Sequence, residues 1–240
     1  MAERTHFLGR RIAACDWATV ATTLSERGWA RLPGLLLAEE RRALIRLYAE
    51  RARFRTVVDM ARHRFGRGEY RYFARPLPAL VERLRRGLYP RLAPIANDWA
   101  AALGEPGTFP PTLAGFLRVC ARAGQTRPTP LLLCYGPGDF NHLHRDLYGP
   151  VAFPLQVACL LSTPGRDFAG GEFLLVEQRP RTQSKAMVVP LAGGDAVVFA
   201  TRDRPVAGAR GYHRATMRHG VSEIERGRRV MLGVIFHDAA

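Results

Sequence analysis

The sequence predicts an α+β protein, a jelly-roll barrel with an N-terminal helical layer packed on it. Three observations carry this. Up to about residue 128 apolar residues recur mostly at helical spacing. After Pro130 short runs rich in Val, Leu and Phe alternate with Gly and Pro turns. No strand–helix–strand alternation supports a parallel sheet. With 240 residues and 47% hydrophobic content the chain can bury one substantial core. Residues 1–128 (helical, Arg-rich) and 129–240 (barrel) are therefore expected to pack as one structural unit.

Asp16 is a natural N-cap for Trp17, Val20 and Leu24 at helical spacing, and Gly28 is the stop, which predicts a first helix over 17–27. A short strand, 29–32, and the Pro33-Gly34 turn lead to a second helix over 38–53. Residues 54–76 fit neither period and mix Arg with aromatics, reading as a loop. Pro78 suits the first turn of a third helix through Leu88, which Pro90 and Pro94 are expected to interrupt before a continuation from Trp99 to Leu103. A fourth helix spans about 111–123. Strands follow at 131–135, 153–161, 172–177, 186–191, 195–200, 212–218 and 229–236. There is no internal repeat.

The formal charge of +15 is uneven. Residues 1–130 hold 23 Arg against 11 acids, a net +12, and within them 41–91 hold 15 Arg against 4. A basic face beside a nearly neutral barrel suits phosphate backbones, anionic membranes or acidic proteins, and nucleic acid is the commonest such partner. Lys185 is the only lysine, so part of the excess is compositional. Nothing approaches a membrane span, and the charged N-terminus lacks the apolar core of a signal peptide, so the expected address is the cytoplasm. Cys15, Cys120, Cys134 and Cys159 are widely spaced, which argues against a disulfide scaffold or a thiolate zinc site. Oligomeric state is not legible.

Chemistry concentrates in residues 134–146. His144 and Asp146 are two apart, so on an extended strand their side chains leave one face. His219, ahead of a new apolar run, offers the third ligand, and two His with one carboxylate suit a non-haem Fe(II) oxygenase. Barrel closure brings distant strand ends to one mouth. In the last strand Arg229, Met231, Gly233 and Ile235 share a face, and a guanidinium there wants a carboxylate. His142 lacks an acid two residues on, and His213 and His237 lack an Arg at the right distance, so they read as neighbours or core groups. Asp139 and Asp195 read as turn residues, and Glu172 as a possible partner for an Arg. Arg62, His63, Arg64, Arg67, Tyr70 and Arg71, in the basic aromatic tract, are candidates to grip substrate, Arg on phosphates and aromatics under bases. Phe54, Phe65 and Phe73 in the same tract read as anchors to the core.

His144-x-Asp146, His219 and Arg229 ten residues on together resemble the signature of the Fe(II)/2-oxoglutarate-dependent dioxygenases. Residues 168–173 and 194–199 also resemble strand segments of these enzymes. The resemblance, over about 130–238, implies a double-stranded β-helix in which His144, Asp146 and His219 hold Fe(II) and Arg229 meets the far carboxylate of 2-oxoglutarate, with O2 as oxidant. Tyr135-Gly-Pro-Gly138 is similar to the approach to the metal in AlkB-type nucleobase demethylases, which implies a co-substrate role for Tyr135. Over its whole length the chain resembles an uncharacterised bacterial group proposed to modify nucleic acid. The implied activity is hydroxylation or oxidative demethylation of DNA or RNA bases, as in alkylation repair. Leu133 stands where AlkB enzymes carry Asn, their Arg pair after His219 is absent, and the spacing from His219 to Arg229 is closer to that of prolyl hydroxylases. A protein or amino-acid hydroxylase is therefore the alternative, and a non-catalytic barrel without iron a third reading.

Overall fold

The computed structural model describes residues 2–105, 109–146, 149–209 and 211–240, with side chains from Leu8 onward, and the counts below are of these residues. The helices are α1 (Ala2–Ala14), α2 (Trp17–Arg27), α3 (Ala38–Leu47), α4 (Ala79–Ala102) and α5 (Leu113–Arg122). The strands of the first half are β1 (Trp29–Leu32), β2 (Phe54–Asp59), β3 (Gly66–Arg67) and β4 (Glu69–Phe73). Those of the second half are β5 (Leu131–Tyr135), β6 (Phe140–His144), β7 (Leu155–Leu160), β8 (Phe168–Gly170), β9 (Phe173–Gln178), β10 (Lys185–Val189), β11 (Ala196–Ala200), β12 (Asp203–Gly208), β13 (Gly211–Val221), β14 (Ile224–Gly227) and β15 (Arg229–Val234). None of the helices is long and apolar enough to cross a membrane.

Two antiparallel sheets face each other. One is seven-stranded, in the order β1-β11-β7-β15-β5-β4-β2, and the other runs β10-β9-β13-β6-β3, with β12 on β13. This is an α+β double-stranded β-helix in which the chain crosses repeatedly between the sheets, with β5, β7, β11 and β15 in one and β6, β9, β10 and β13 in the other. The helices cover the outer face of the larger sheet: Leu84, Leu88, Leu92 and Trp99 of α4 join Val230, Leu232, Val234 and Phe236 in one buried cluster. The expected alternation of the last strand is present, because Arg229, Met231 and Gly233 line a cavity between the sheets instead.

Several elements differ from the sequence expectation. Residues 54–73 are not a loop but a hairpin of β2 on β4 that extends the larger sheet through pairing of β4 with β5, so the helical layer of 1–128 also contributes strands to the barrel wall. The second helix stops at Leu47 and a separate 3-10 turn holds Arg51–Arg53. Docking ends it: the Tyr48 hydroxyl donates to Glu69 at 2.6 Å while the Arg71 guanidinium lies 4.0 Å from the Tyr48 ring centroid. Pro90 and Pro94 do not interrupt α4. Both lie on its solvent side, where the carbonyls they release can meet water, and the apolar face runs unbroken beneath them. The helix α1 precedes the first one expected.

α4 is pinned to the barrel by a buried charge. Arg85, fully buried, donates through Nε to the Ile235 carbonyl at 2.9 Å and through Nη2 to the Phe236 carbonyl at 2.7 Å and to Asp238 at 2.6 Å. At the other end Arg204 joins Glu177 and donates to the Ser25 and Glu26 carbonyls at 2.6 and 3.1 Å, closing the last turn of α2. Arg85→Met leaves Asp238 and two carbonyls without that partner, and is expected to lower unfolding free energy by about 3–5 kcal/mol in denaturant titration.

His237 makes stability depend on acid. It accepts from the Phe153 N–H at 3.2 Å, and burial pushes its imidazole from 6.5 down to about 4. The unfolded chain binds that proton first as pH falls. Stability is therefore whole above pH 6.5 and declines toward pH 4, by something of the order of 3 kcal/mol. His237→Asn is expected to flatten that part of the stability-against-pH curve.

Candidate active site

His144 ends β6, Asp146 follows it in irregular chain, and His219 lies near the end of β13. The two strands pair with His219 opposite His144 and Val221 opposite Asn141, so three residue steps on β6 match two on β13. The surplus residue is a bulge in β6 around His142 and Leu143. Gly220 permits it: a Cβ there would meet the Asn141 carbonyl oxygen at 2.7 Å. The Arg-His-Gly-Val segment thus supplies both a ligand and the close approach that aims it.

The imidazole centroids of His144 and His219 are 4.2 Å apart. His144 Nε2 lies 3.4 Å from one carboxylate oxygen of Asp146, and His219 Nε2 lies 3.4 Å from the other. One ligand atom from each of the three residues falls within 4.8 Å of the others. His144 Nδ1 is 2.8 Å from the His142 carbonyl oxygen, so that nitrogen carries the proton and Nε2 keeps its lone pair for a metal. Burial would raise the Asp146 carboxyl, but the His219 and His144 imidazoles outweigh it and hold it well below the usual range. Burial and the neighbouring His144 lower His219. For His144 burial acts downward and Asp146 reverses it, leaving the pKa raised. Two imidazole nitrogens and a carboxylate oxygen converging at the wall of an open cavity fit an Fe(II) ion with coordination positions to spare.

That cavity, about 270 Å³, lies between the sheets. At its inner end Arg229 is 1% exposed and opposite Tyr135 on β5. Its Nη2 has only the Met231 sulfur at 3.3 Å, and Nε and Nη1 are buried without a partner among the described residues. Burial lowers its pKa to about 10, against the pull of Tyr135 and Glu172. A dry guanidinium with unused donors beside a metal triad fits the far carboxylate of a short diacid. The Tyr135 hydroxyl accepts from Asn141 at 3.3 Å, its ring lies 5.8 Å from the Arg229 guanidinium, and burial raises its pKa.

The six candidate grip residues separate. Tyr70 lines the cavity. Arg62, His63 and Arg64 are exposed on the segment joining β2 to β3, with Arg62 3.3 Å from Asp59 and His63 stacked on Phe65 with centroids 5.4 Å apart, and Arg67 is exposed on β3. Arg71 is not brought to the cavity: alternation along β4 turns it to the other face, where it pairs with Glu69 at 2.6 Å and donates to the Tyr48 carbonyl. Part of the 41–91 Arg excess is likewise engaged elsewhere, Arg85 and Arg75 on Asp238, Arg53 on Glu50, Arg86 on Glu82, while Arg42, Arg46, Arg51 and Arg91 stay exposed. Phe54 and Phe73 do anchor to the core, stacked at 4.9 Å, but Phe65 is 47% exposed and lines the cavity. His142 is exposed, and the carboxylates of Asp139 and Asp195 accept backbone N–H groups in turns. Glu172 is bonded to Ser222, and among the described residues it makes no ion pair with an Arg. Sequence reasoning missed Asn141, Arg145 and Gln156, all cavity-lining. Gln156 had a signal, a polar residue inside an apolar strand.

His144→Ala, Asp146→Ala and His219→Ala are each expected to weaken Fe(II) or Mn(II) binding by about a hundredfold or more in calorimetric titration. Gly220→Val is expected to do the same through the β6–β13 approach, with the ligands intact.

The family sequence model that matches, over residues 68–239, is Oxygenase-NA, described as an oxygenase "catalysing oxidative methylation of damaged DNA". Two proteins of Mycobacterium tuberculosis, MT2286 (strain CDC 1551 / Oshkosh) and Rv2227 (strain H37Rv), both uncharacterised, are 52% identical over 168 residues, 70% of this chain and 72% of theirs. Among solved structures the fold is similar to a prolyl-4-hydroxylase of Pseudomonas putida, TM-score 0.55 at 17% identity, covering 93% of this chain and 100% of that one. It is also similar to a prolyl hydroxylase of Trichoplax adhaerens in complex with a hypoxia inducible factor peptide, TM-score 0.54 at 14% identity, covering 95% and 91%. On the family match and the triad, the chain belongs to the Oxygenase-NA family and is a dioxygenase of the Fe(II)/2-oxoglutarate-dependent superfamily, using Fe(II), 2-oxoglutarate and O2.

Proposed function

We propose that this dioxygenase oxidises bases of nucleic acid, hydroxylating them or removing N-methyl groups from damaged or modified bases. The observation that carries the reading is the cavity mouth. Phe65, half-exposed and stacked on His63, stands there beside Arg145, with Arg62, Arg64 and Arg67 on the same short segment. An aromatic face with exposed guanidiniums on its own segment suits a base drawn out of its stack with its phosphates held outside. The family description, damaged DNA, supports the same class.

In this reading His144, Asp146 and His219 hold Fe(II), while Arg229 and Tyr135 orient 2-oxoglutarate through its far carboxylate. Fe(II) bound with 2-oxoglutarate and O2 supplies hydroxylation of a C–H bond, with succinate and CO2 as by-products. The chain's part is positional. The buried guanidinium fixes one end of the diacid, the apolar walls exclude water, and Phe65 and Tyr70 flank the entering base. A hydroxylated N-methyl group breaks down to formaldehyde, which reports on demethylation.

Succinate formation that requires both Fe(II) and 2-oxoglutarate, rises with methylated single-stranded DNA or RNA, and disappears in Asp146→Ala is the expected outcome. Phe65→Ala is expected to raise KM for the oligonucleotide by about fivefold to a hundredfold. Replacing Arg62, Arg64 and Arg67 by Ala is expected to flatten the salt dependence of binding. Stimulation by a prolyl peptide and by no oligonucleotide would instead support the hydroxylase reading, to which the spacing of His219 and Arg229 is also suited.

A further inference from the structure

We propose that Gln156 selects the substrate: its side-chain amide reads a planar edge that presents a hydrogen-bond donor beside an acceptor. The inference rests on the nucleic-acid reading above and deepens it. Gln156 belongs to β7, whose every residue is buried and whose others, Leu155, Val157, Ala158, Cys159 and Leu160, are apolar. It is 5% exposed and lines the cavity, and its carbonyl oxygen is buried without a partner among the described residues. A buried amide oxygen left unpaired among the described residues is costly, and such departures from local consistency concentrate at functional sites.

Its place along the cavity excludes the co-substrate as the partner. Ala158 pairs with Gly233 on β15, Arg229 lies four residues before Gly233, and Gln156 lies two residues before Ala158 on the antiparallel neighbour. At about 3.4 Å per residue the two positions are about 20 Å apart along the strands, at opposite ends of the cavity. A short diacid with one end on Arg229 reaches the triad, not Gln156. Gln156 does border the triad from the other side: it is opposite Phe199 on β11, and the His219 ring packs on Phe199 with centroids 4.8 Å apart. The group to be oxidised therefore sits between Gln156 and the metal ligands, among the apolar walls of Leu131, Leu133 and Tyr70. Unmodified nucleobases carry an N–H beside an acceptor on one edge, and adenine methylated at N1 keeps such a pair at N6 and N7, which one carboxamide matches with two hydrogen bonds. A prolyl ring has no such edge, so a site built on this amide rejects it.

The test is Gln156→Met, close in size and without polar hydrogen-bonding groups, in the Fe(II)-loaded protein. The probes are single-stranded oligodeoxynucleotides methylated with methyl methanesulfonate, and a proline-rich peptide. The variant is expected to unfold at a higher temperature than wild type, because an unpaired buried amide oxygen has been removed. KM for the oligonucleotide is expected to rise about tenfold or more, with a smaller change in kcat and no matching rise in KM for 2-oxoglutarate. Anaerobic fluorescence anisotropy should show the same loss of oligonucleotide affinity. A lower unfolding temperature would show the amide to be structural and overturn the proposal, as would an unchanged oligonucleotide KM. If the peptide stimulates wild type and no oligonucleotide does, the nucleic-acid reading falls, and an unchanged peptide KM in the variant removes Gln156 as selector with it. If neither probe stimulates wild type, both are overturned.

Discussion

The site depends on one backbone event, the bulged antiparallel pairing of β13 with β6. Side-chain period in a strand is two, so the register that puts His219 opposite His144 also decides which residues face the cavity. The bulge in β6 leaves the His142 carbonyl as partner for His144 Nδ1, and Gly220 gives the backbone room to approach. With both imidazoles held from behind or by packing, the two Nε2 atoms have only Asp146 between them. Pre-organisation of this kind lets a flexible carboxylate complete a metal site without rearranging the barrel.

The second constraint is the treatment of buried cations. Arg85 and Arg204 are buried with carboxylates and several backbone carbonyls, and tie α4 and α2 to the ends of the barrel. Arg229 is buried as deeply, with Met231 sulfur as its hydrogen-bond acceptor. The contrast separates arginines paired with carboxylates of the chain from one with no carboxylate partner among the described residues. Part of the basic N-terminal half is internal stitching, as at Arg85, while Arg42, Arg46, Arg51 and Arg91 stay exposed; near the cavity the exposed positive charge is Arg62, Arg64, Arg67 and Arg145.

The conversion of residues 54–73 from an apparent loop to a hairpin shows why local reading failed there. Tyr70 and Tyr72 alternate with Glu69 and Arg71, so both faces of β4 carry large amphipathic side chains and no apolar stripe appears. The strand exists because β5 offers a hydrogen-bonding edge from sixty residues further along the chain. Its alternation then splits Tyr70 from Arg71, one into the cavity and the other onto Tyr48. Phe65, indistinguishable by composition from Phe54 and Phe73, ends at the mouth because it lies between β2 and β3 instead of within a strand over the core.

By itself the sequence carried what depends on local spacing: that His144, Asp146 and His219 converge, that Arg229 takes the inward face of an apolar strand, and that a capped helix runs from Trp17 to Arg27. Periodicity and ligand type are properties of neighbours in the chain, so they are readable there. Only the tertiary structure decided that Gln156 and Asn141 face the same cavity, that Phe65 guards it while Arg71 does not, and that prolines on the outer side leave α4 whole. Each of these depends on which strand edge or helix face meets which, over separations where chain order carries no information and burial settles the outcome.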